Sequence, residues 1–180
     1  MPRRLRVLIA AALLIGGCYP GSDSEVFQRR WEADRQERIA GMKAATRQQA
    51  RGEAVGGAAL RVLLTGRTHE FDYQQDPLGR PGRYVEYYHF QRDSRLVFSN
   101  PPLSASPGAV NDDRWRVDGD RLCVVTAWLS PDERCFTLAV LPNGRVQYFV
   151  QEPGDQADGL LTKVTNAVFD GPPPPDGSEP

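Results

Sequence analysis

The chain has 180 residues, 40% of them hydrophobic, and its 22 basic and 23 acidic residues give a net charge of −1. This balance does not favour a nucleic-acid-binding protein, which carries an excess of positive charge. The sequence contains no phosphate-binding loop, dinucleotide fingerprint, zinc-protease motif or G-x-S-x-G motif, so we predict neither a cofactor nor an enzymatic activity.

The first 17 residues have the layout of a secretory signal. Arg3, Arg4 and Arg6 form a cationic start, Val7–Ile15 is an uncharged apolar run, and two glycines follow. With the glycines the apolar stretch has 11 residues, whereas a membrane-spanning helix needs about 20. We therefore predict that residues 1–17 are a cleaved signal peptide.

The end of this signal, Ile15-Gly16-Gly17-Cys18, resembles the lipobox of bacterial lipoproteins, in which an aliphatic residue and two small residues precede a cysteine. The resemblance implies cleavage before Cys18, a diacylglycerol on its thiol and a fatty acid such as palmitate on its amine. Several acyl chains hold a protein stably at a membrane. Tyr19 resembles the pattern that follows the cysteine in outer-membrane lipoproteins, which implies a location facing the periplasm. Signal cleavage without lipidation is the alternative.

Residues 18–57 are polar, and we interpret them as a lipid-anchored helical or spacer segment. Ser22-Asp23-Ser24-Glu25 provides a cap and an acidic first turn for a helix. A thin stripe on one helical face contains Phe27, Trp31, Arg38, Met42 and Ala45, with Ile39 beside it. The helix is therefore either a solvated spacer or a partner-binding helix that uses Phe27 and Trp31. Gly52–Gly57 is typical of a break in the chain.

Residues 58–169 are predicted to form one folded domain. A short helix over Ala58–Leu64 ends near Gly66, a suitable position for a left-handed cap. Strands are predicted at Arg67–Tyr73, Tyr84–Gln91, Arg95–Ser99, Arg114–Val117, Arg121–Trp128, Arg134–Leu141, Arg145–Val150 and within Leu160–Phe169. The fold class is therefore mainly β: an antiparallel meander, either a curved sheet or a small barrel, preceded by a polar N-terminal helix.

Two dipeptides, Asp118-Gly119 and Asn143-Gly144, predict tight hairpin turns. Two-residue turns at these positions pair apolar residues in both hairpins. The expected pairs are Trp115 with Leu122, Leu141 with Val146, and Ala139 with Tyr148, while Leu138 and Phe149 meet on the other face.

The first of these registers places Arg116 opposite Arg121, with Arg114 on the same face. Like charges directly opposite each other destabilise a sheet unless an anion or an acid lies between them. Arg114, Arg116 and Arg121 therefore form either a surface for an anionic ligand or partner, or a group that Glu133, Glu86 or a nearby aspartate neutralises.

With Cys18 assigned to lipid, Cys123 and Cys135 remain as a pair. Disulfides persist in exported proteins, so we predict a bridge between them, with two buried free thiols as the alternative. A tight turn at Pro131-Asp132 would not bring the cysteines opposite each other. Their pairing requires a turn centred near Leu129, a bulge or an irregular loop.

Four segments of this domain resemble small secreted β-domains of bacteria: Gly66-Arg67-Thr68, Glu86-Tyr87-Tyr88, Trp115–Cys123 and Cys135-Phe136. Those domains have a Gly-x-Thr opening, a tryptophan-bearing hairpin that ends in cysteine, and a second cysteine one strand later. The resemblance covers residues 58–151. It implies a fold and an exported compartment but no reaction, because the function of that group is unknown.

The remaining polar features are ordinary ones. Residues 170–180 are rich in proline and are predicted to be disordered or polyproline II. His69 and His89 lie in predicted strands near acids, and two histidines with a carboxylate can bind zinc. Their spacing matches no local ligand motif, so we predict ordinary strand histidines and no metal site.

Three function classes follow. The favoured one is an envelope lipoprotein that presents a β-domain to an envelope protein or to the cell wall, which predicts an exposed apolar or arginine-rich patch on a sheet face. A lipocalin-like small-molecule carrier predicts a pocket lined by Tyr84, Tyr88, Phe90 and Trp128. A hydrolase, which we favour least, predicts His69 or His89 beside an acid and a nucleophile in one cleft.

Overall fold

The computed structural model describes residues 22–75, 81–99, 113–126 and 130–174. The described residues confirm the predicted fold class, a mainly β protein with antiparallel strands and an N-terminal helix. The helices are α1 (Ser22–Gln48) and α2 (Gly57–Leu64). The strands are β1 (Glu53–Val55), β2 (Arg67–Gln75), β3 (Pro81–Phe90), β4 (Leu96–Ser99), β5 (Arg114–Asp118), β6 (Arg121–Thr126), β7 (Ser130–Val140), β8 (Val146–Gln151), β9 (Leu161–Val164) and β10 (Ala167–Asp170).

The chain forms two compact units, one ending at Arg38 and one beginning at Ile39, so α1 contributes to both. The strands belong to the second unit and form two antiparallel sheets. One sheet has the order β5-β6-β7-β8-β9, with β1 paired to β7, and the other has the order β10-β2-β3-β4. From β5 to β9 and from β2 to β4 consecutive strands are neighbours, as in a meander, whereas β1 pairs with β7 and β10 pairs with β2. The sheets formed by the described strands are not closed into a barrel.

The main core lies between the two sheets and beneath α2. Phe71 of one sheet packs edge-to-face on Tyr148 of the other, with ring centroids 5.3 Å apart, and Phe90 packs on Trp115 in the same way at 5.6 Å. Aromatic pairs favour this geometry. The buried members of the cluster are Leu60, Leu64, Phe71, Tyr88, Phe90, Leu96, Trp115, Leu122, Val124, Leu138, Val146 and Tyr148.

A smaller core covers the other face of the larger sheet. Ala139, Phe149 and Leu161 are buried there, and Ala45 of α1 packs against them. The backbone N–H of Leu161 donates a hydrogen bond to the Thr46 hydroxyl at 2.8 Å. The last turns of α1 are therefore part of the folded domain.

The predicted break at Gly52–Gly57 is wrong, because β1 lies within it and pairs with β7. Gly52 lies so close to β7 that an added Cβ would be 2.4 Å from the carbonyl oxygen of Val140. The Gln147 side chain accepts a hydrogen bond from the Gly52 N–H at 2.8 Å and donates one to the Ala50 carbonyl at 2.9 Å. The glycine at position 52 thus lets its backbone lie close to that of β7, and the regular structure continues into β1.

The β5–β6 hairpin exists, but its predicted register is wrong. Asp118 pairs with Arg121, and Trp115 pairs with Val124 rather than with Leu122. The central turn residues are therefore Gly119 and Asp120, and the φ of 60° at Gly119 suits the first central position of a type II′ turn. The partner of Trp115 moves by two residues, so Trp115 and Leu122 still face the core.

The β7–β8 hairpin also exists, and both of its predicted pairs are wrong by one residue. Its loop has three residues, Pro142–Gly144, and the glycine has a φ of 81°. Loops of this length favour a left-handed glycine at the last position. A shift of one residue exchanges the faces of a strand, so Leu138 pairs with Tyr148 in the main core, while Ala139 and Phe149 lie in the smaller core.

Candidate functional site

Arg116 and Arg121 are each paired with an acid on the surface of the β5–β6 hairpin. Arg116 donates two hydrogen bonds to the Glu133 carboxylate, at 2.8 and 2.7 Å, and these bonds lower the pKa of Glu133. Arg121 contacts Asp118 at 2.7 Å. The predicted opposition of Arg116 and Arg121 is wrong, because the turn position places Arg116 opposite Cys123. In the structure, acids neutralise these two arginines, which is the second of the two alternatives predicted from the sequence.

Arg114 lies on the same face of β5 as Arg116, because they are two positions apart in the strand. It is exposed and pairs in register with Val125. The described residues therefore place all three predicted arginines on one face. The ion pairs of Arg116 and Arg121 reduce the positive charge that this face presents.

Cys123 and Cys135 are directly opposed in β6 and β7 and form the predicted disulfide. A register irregularity between Val124 and Thr126 supplies the bulge that the pairing requires. The Glu133 carboxylate and both sulfurs lie within 4.8 Å of one another. Sulfurs that are joined in a disulfide offer no thiolate to a metal, so this group is not a metal site in the oxidised protein.

His69 is a buried core residue with both ring nitrogens engaged. Its Nδ1 lies 2.5 Å from the Tyr148 hydroxyl, and its Nε2 lies 3.2 Å from the Leu63 carbonyl. Because the carbonyl can only accept, Nε2 carries the proton and Nδ1 accepts from Tyr148. Burial lowers the pKa of His69 to about 4, so the ring is neutral near pH 7.

His89 belongs to the opposite face of the smaller sheet. It pairs in register with Thr68, whereas His69 pairs with Tyr88, and successive residues of a strand face opposite ways. The His89 Nδ1 lies 3.0 Å from the Thr68 hydroxyl. That hydroxyl donates its proton to the Gly171 carbonyl at 2.5 Å, so His89 must donate to Thr68. The two histidines therefore do not share a site.

An open cleft of ≈ 740 Å³ lies beside His89. Its lining residues carry both signs of charge. The lining residues are Thr65, Gly66, His89, Gln91, Arg92, Asp93, Arg95, Asp170 and Gly171. The Thr68 hydroxyl donates its proton to the Gly171 carbonyl. It therefore holds the chain in place at the end of β10 and does not act as a nucleophile.

The side chains expected to line a carrier pocket are engaged by protein contacts. Phe90 is fully buried and contacts His69 and Trp115, while Tyr88 packs against Phe71 and Phe98. Tyr84 is buried and its ring lies 5.9 Å from that of Tyr73. The fourth expected residue, Trp128, lies outside the described residues.

Sequence reasoning missed Lys163, whose amine lies among the aromatic rings between the sheets. Its Nζ is 3.9 Å from the ring centroid of Tyr88, 4.5 Å from that of Phe71 and 5.7 Å from that of Tyr148. A cation within about 6 Å of a ring centroid is attracted by the ring. Burial nevertheless lowers the pKa of Lys163 to about 8, against the attraction of Glu86.

The first unit carries exposed apolar residues on α1. Val26, Phe27 and Trp31 are 57%, 70% and 53% exposed. Phe27 and Trp31 are four residues apart and thus share one helical face. The sequence identifies both as partner-binding candidates. They lie on a helix, so they are distinct from the patch that was predicted for a sheet face.

Several predicted features lie outside the described residues. They are the signal, Cys18, Tyr19 and the end of the tail from residue 175. Neither described helix combines the length and apolar character that crossing a membrane requires. No protein-family model, curated protein or solved structure significantly matches this chain.

Proposed function

We propose that this chain is a lipoprotein of the bacterial cell envelope, anchored through Cys18, that binds another envelope protein through helix α1. The anchor rests on the lipobox resemblance, and an orientation towards the periplasm at the outer membrane rests on Tyr19. The disulfide supports an exported location, because such bonds persist in oxidising compartments. The second unit supplies a stable β-domain next to the interaction helix in the chain.

The exposed Phe27 and Trp31 carry this proposal. Tryptophan and other large aromatic residues contribute most of the binding energy at many interfaces, and an amphipathic helix binds a groove through residues spaced in this way. Exposed rings of this size in contact with water are typical of an interaction surface.

The charges around these rings favour a protein over an anionic membrane surface. Membrane-binding helices carry an excess of lysine and arginine. Residues 22–38 instead combine five acidic with four basic residues, which are Asp23, Glu25, Arg29, Arg30, Glu32, Asp34, Arg35, Glu37 and Arg38. Mixed charges suit the polar rim of a protein–protein interface around an apolar centre.

The anchor is tested by the intact mass of the protein purified from native membranes, before and after reduction. We expect a triacylated chain that begins at Cys18 and gains the mass of two hydrogen atoms on reduction. A chain that retains its signal, or one that is cleaved elsewhere without lipid, would contradict the anchor.

The interaction surface is tested by crosslinking in intact cells. A photoreactive residue introduced in place of Gln28 should capture one defined envelope protein, and the adduct should disappear when Phe27 and Trp31 are both changed to alanine. Val62 is 69% exposed on α2, so Val62→Ala is the matched control and should keep the adduct. An adduct that survives the double substitution would overturn the proposed role of the helix.

A further inference from the structure

We propose that Lys163 is a reactive amine that forms a Schiff base with small aldehydes or ketones. This inference concerns the β-domain alone and does not depend on the lipid anchor. It rests on the geometry around the amine, on the neighbouring charges and on the use of lysine in this sequence.

The geometry surrounds Lys163 with rings rather than with acceptors. Its Nζ contacts the faces of Tyr88, Phe71 and Tyr148, and within the described part of the chain no carboxylate or carbonyl accepts a hydrogen bond from it. An ammonium ion in this position loses water and recovers only part of its solvation from the rings. This position therefore favours the neutral amine, which has a free electron pair, more than bulk water does.

Lys163 is only half-buried, so part of the residue stays exposed to solvent. The neighbouring rings offer a planar, apolar surface, and an aromatic aldehyde can pack against such a surface. In this proposal a small aldehyde reaches the partly desolvated amine through the exposed part of the residue.

The charged groups around the amine leave Lys163 as the group that titrates near neutral pH. Glu86 of β3 attracts the ammonium, whereas Arg134 of β7 repels it. The phenols of Tyr88 and Tyr148 have pKa values raised by burial, and His69 is neutral. The net result is a pKa of about 8 for Lys163, so a substantial fraction is unprotonated under physiological conditions.

Lysine is rare in this chain, which makes its presence in the core informative. Of the 22 basic residues, only Lys43 and Lys163 are lysines, and Lys43 is exposed on α1. Arginine stays protonated in proteins and cannot act as an amine nucleophile, whereas a buried lysine readily loses its proton. The core position is therefore occupied by the one type of basic side chain that can become a neutral amine there.

The reaction balances without a further reagent. The Nζ electron pair attacks the carbonyl carbon, a C–N bond forms, and the carbonyl oxygen takes up a proton to give a carbinolamine. The nitrogen, which has given one proton to the oxygen, then loses its second proton as the hydroxyl leaves; that proton and the hydroxyl form water, and a C=N bond results. Water from the solvent carries the protons between these positions.

The test uses the purified mature chain with its disulfide intact, benzaldehyde as the probe and cyanoborohydride to trap the imine. Peptide mapping by mass spectrometry reports Lys163 and Lys43 separately in the same molecule. At pH 7.5 we expect Lys163 to be modified roughly tenfold faster than Lys43, with a half-maximal rate near pH 8; an ordinary lysine reacts half-maximally only near pH 10.4. Equal rates at the two lysines, or a profile that rises only above about pH 10, would overturn the proposal.

Two variants separate reactivity from folding. Lys163→Arg keeps a cation but removes the amine and should abolish the fast adduct, while Lys43→Arg should leave it unchanged. If Lys163→Arg fails to fold, the comparison of Lys163 with Lys43 in the unmodified chain still decides the question. A Lys163 that reacts only after the chain is unfolded would show that the rings block access, and would refute the site.

Discussion

Positively charged side chains lie in two contrasting environments, the exposed face of the β5–β6 hairpin and the space between the two sheets. On the hairpin, Arg116 and Arg121 lie in water beside Glu133 and Asp118. Between the sheets, Lys163 lies against aromatic rings. The hairpin carries more charges, yet Arg116 and Arg121 are screened and paired with acids, whereas the single interior amine is poorly solvated.

The comparison teaches that the number of charges is a poor guide to their effect. Exposed ion pairs contribute little because water and salt screen them. A charge or a polar group in the interior changes pKa values and stability by much more, because its interactions are not screened. The following predictions test this contrast, from the largest expected effect to the smallest.

Removing a ring from the interior should have the largest effect. Phe90 is fully buried between His69 and Trp115, and Phe→Ala changes in a core destabilise by about 3–5 kcal/mol. Phe90→Ala should lower the free energy of unfolding by that amount in urea titrations. Phe27→Ala, at an exposed position, is the control and should leave it nearly unchanged. Similar losses in both variants would contradict the assigned core.

Removing the disulfide should have the next largest effect. The bridge spans a sequence separation of 12, and closing a loop of this size in the unfolded chain stabilises a protein by about 3 kcal/mol. The variant with serine at positions 123 and 135 should lose about that much in chemical denaturation. It should also become insensitive to reducing agents, unlike the unmodified chain. If reduction alone leaves the unfolding midpoint of the unmodified chain unchanged, this prediction is wrong.

Acid should destabilise the fold through His69. The pKa of a solvent-exposed histidine, as in the unfolded chain, is 6.5, and burial lowers that of His69 to about 4 in the folded chain. Between these pH values the unfolded chain binds more protons than the folded chain, so stability falls as the pH falls. Between pH 7 and pH 4.5 the loss should be about 2 kcal/mol. His69→Gln should flatten this part of the pH profile more than His89→Gln does. Equal flattening would show that His69 is not the group responsible.

Breaking the surface pair should have the smallest effect. Arg116→Ala removes both hydrogen bonds to Glu133, but the guanidinium is exposed and its pair is screened. We expect the midpoint of thermal unfolding to stay within experimental error, at low and at high salt. A clear, salt-dependent decrease would remove the contrast between the hairpin and the interior.

The sequence predicted both helices and the strands other than β1, with β9 and β10 in a single segment, because apolar periodicity and turn residues determine these locally. The disulfide was predicted because Cys123 and Cys135 remain once Cys18 is assigned to lipid. It did not predict the registers. Asp-Gly and Asn-Gly indicate that a turn exists, but the type II′ turn at Gly119 and the three-residue loop before Arg145 depend on the pairing of whole strands. The error at the β5–β6 hairpin leaves the side chains on their predicted faces. The error at the β7–β8 hairpin reverses the faces, so that Leu138 rather than Ala139 lies on the same face as Tyr148.

Lys163 illustrates why the candidate site was missed. A strict alternation places Lys163 on the same face as Leu161. Instead Tyr148 pairs with Lys163 and Phe149 pairs with Leu161, so an irregularity between them turns the lysine towards the main core. Bulges of this kind depend on the partner strand, and a single strand read by itself does not reveal them. The rarity of lysine was the available signal.

We expect strand β1 to protect the protein against self-association. It covers the backbone of Leu138, Ala139 and Val140, the part of one β7 edge that lies beyond the pairing with β6. A truncated chain that begins at Ala58 would expose unpaired N–H and C=O groups along this apolar stretch, and such an edge recruits strands from other molecules. We expect that chain to aggregate at concentrations where one beginning at Ile39 stays monomeric, as light scattering would show.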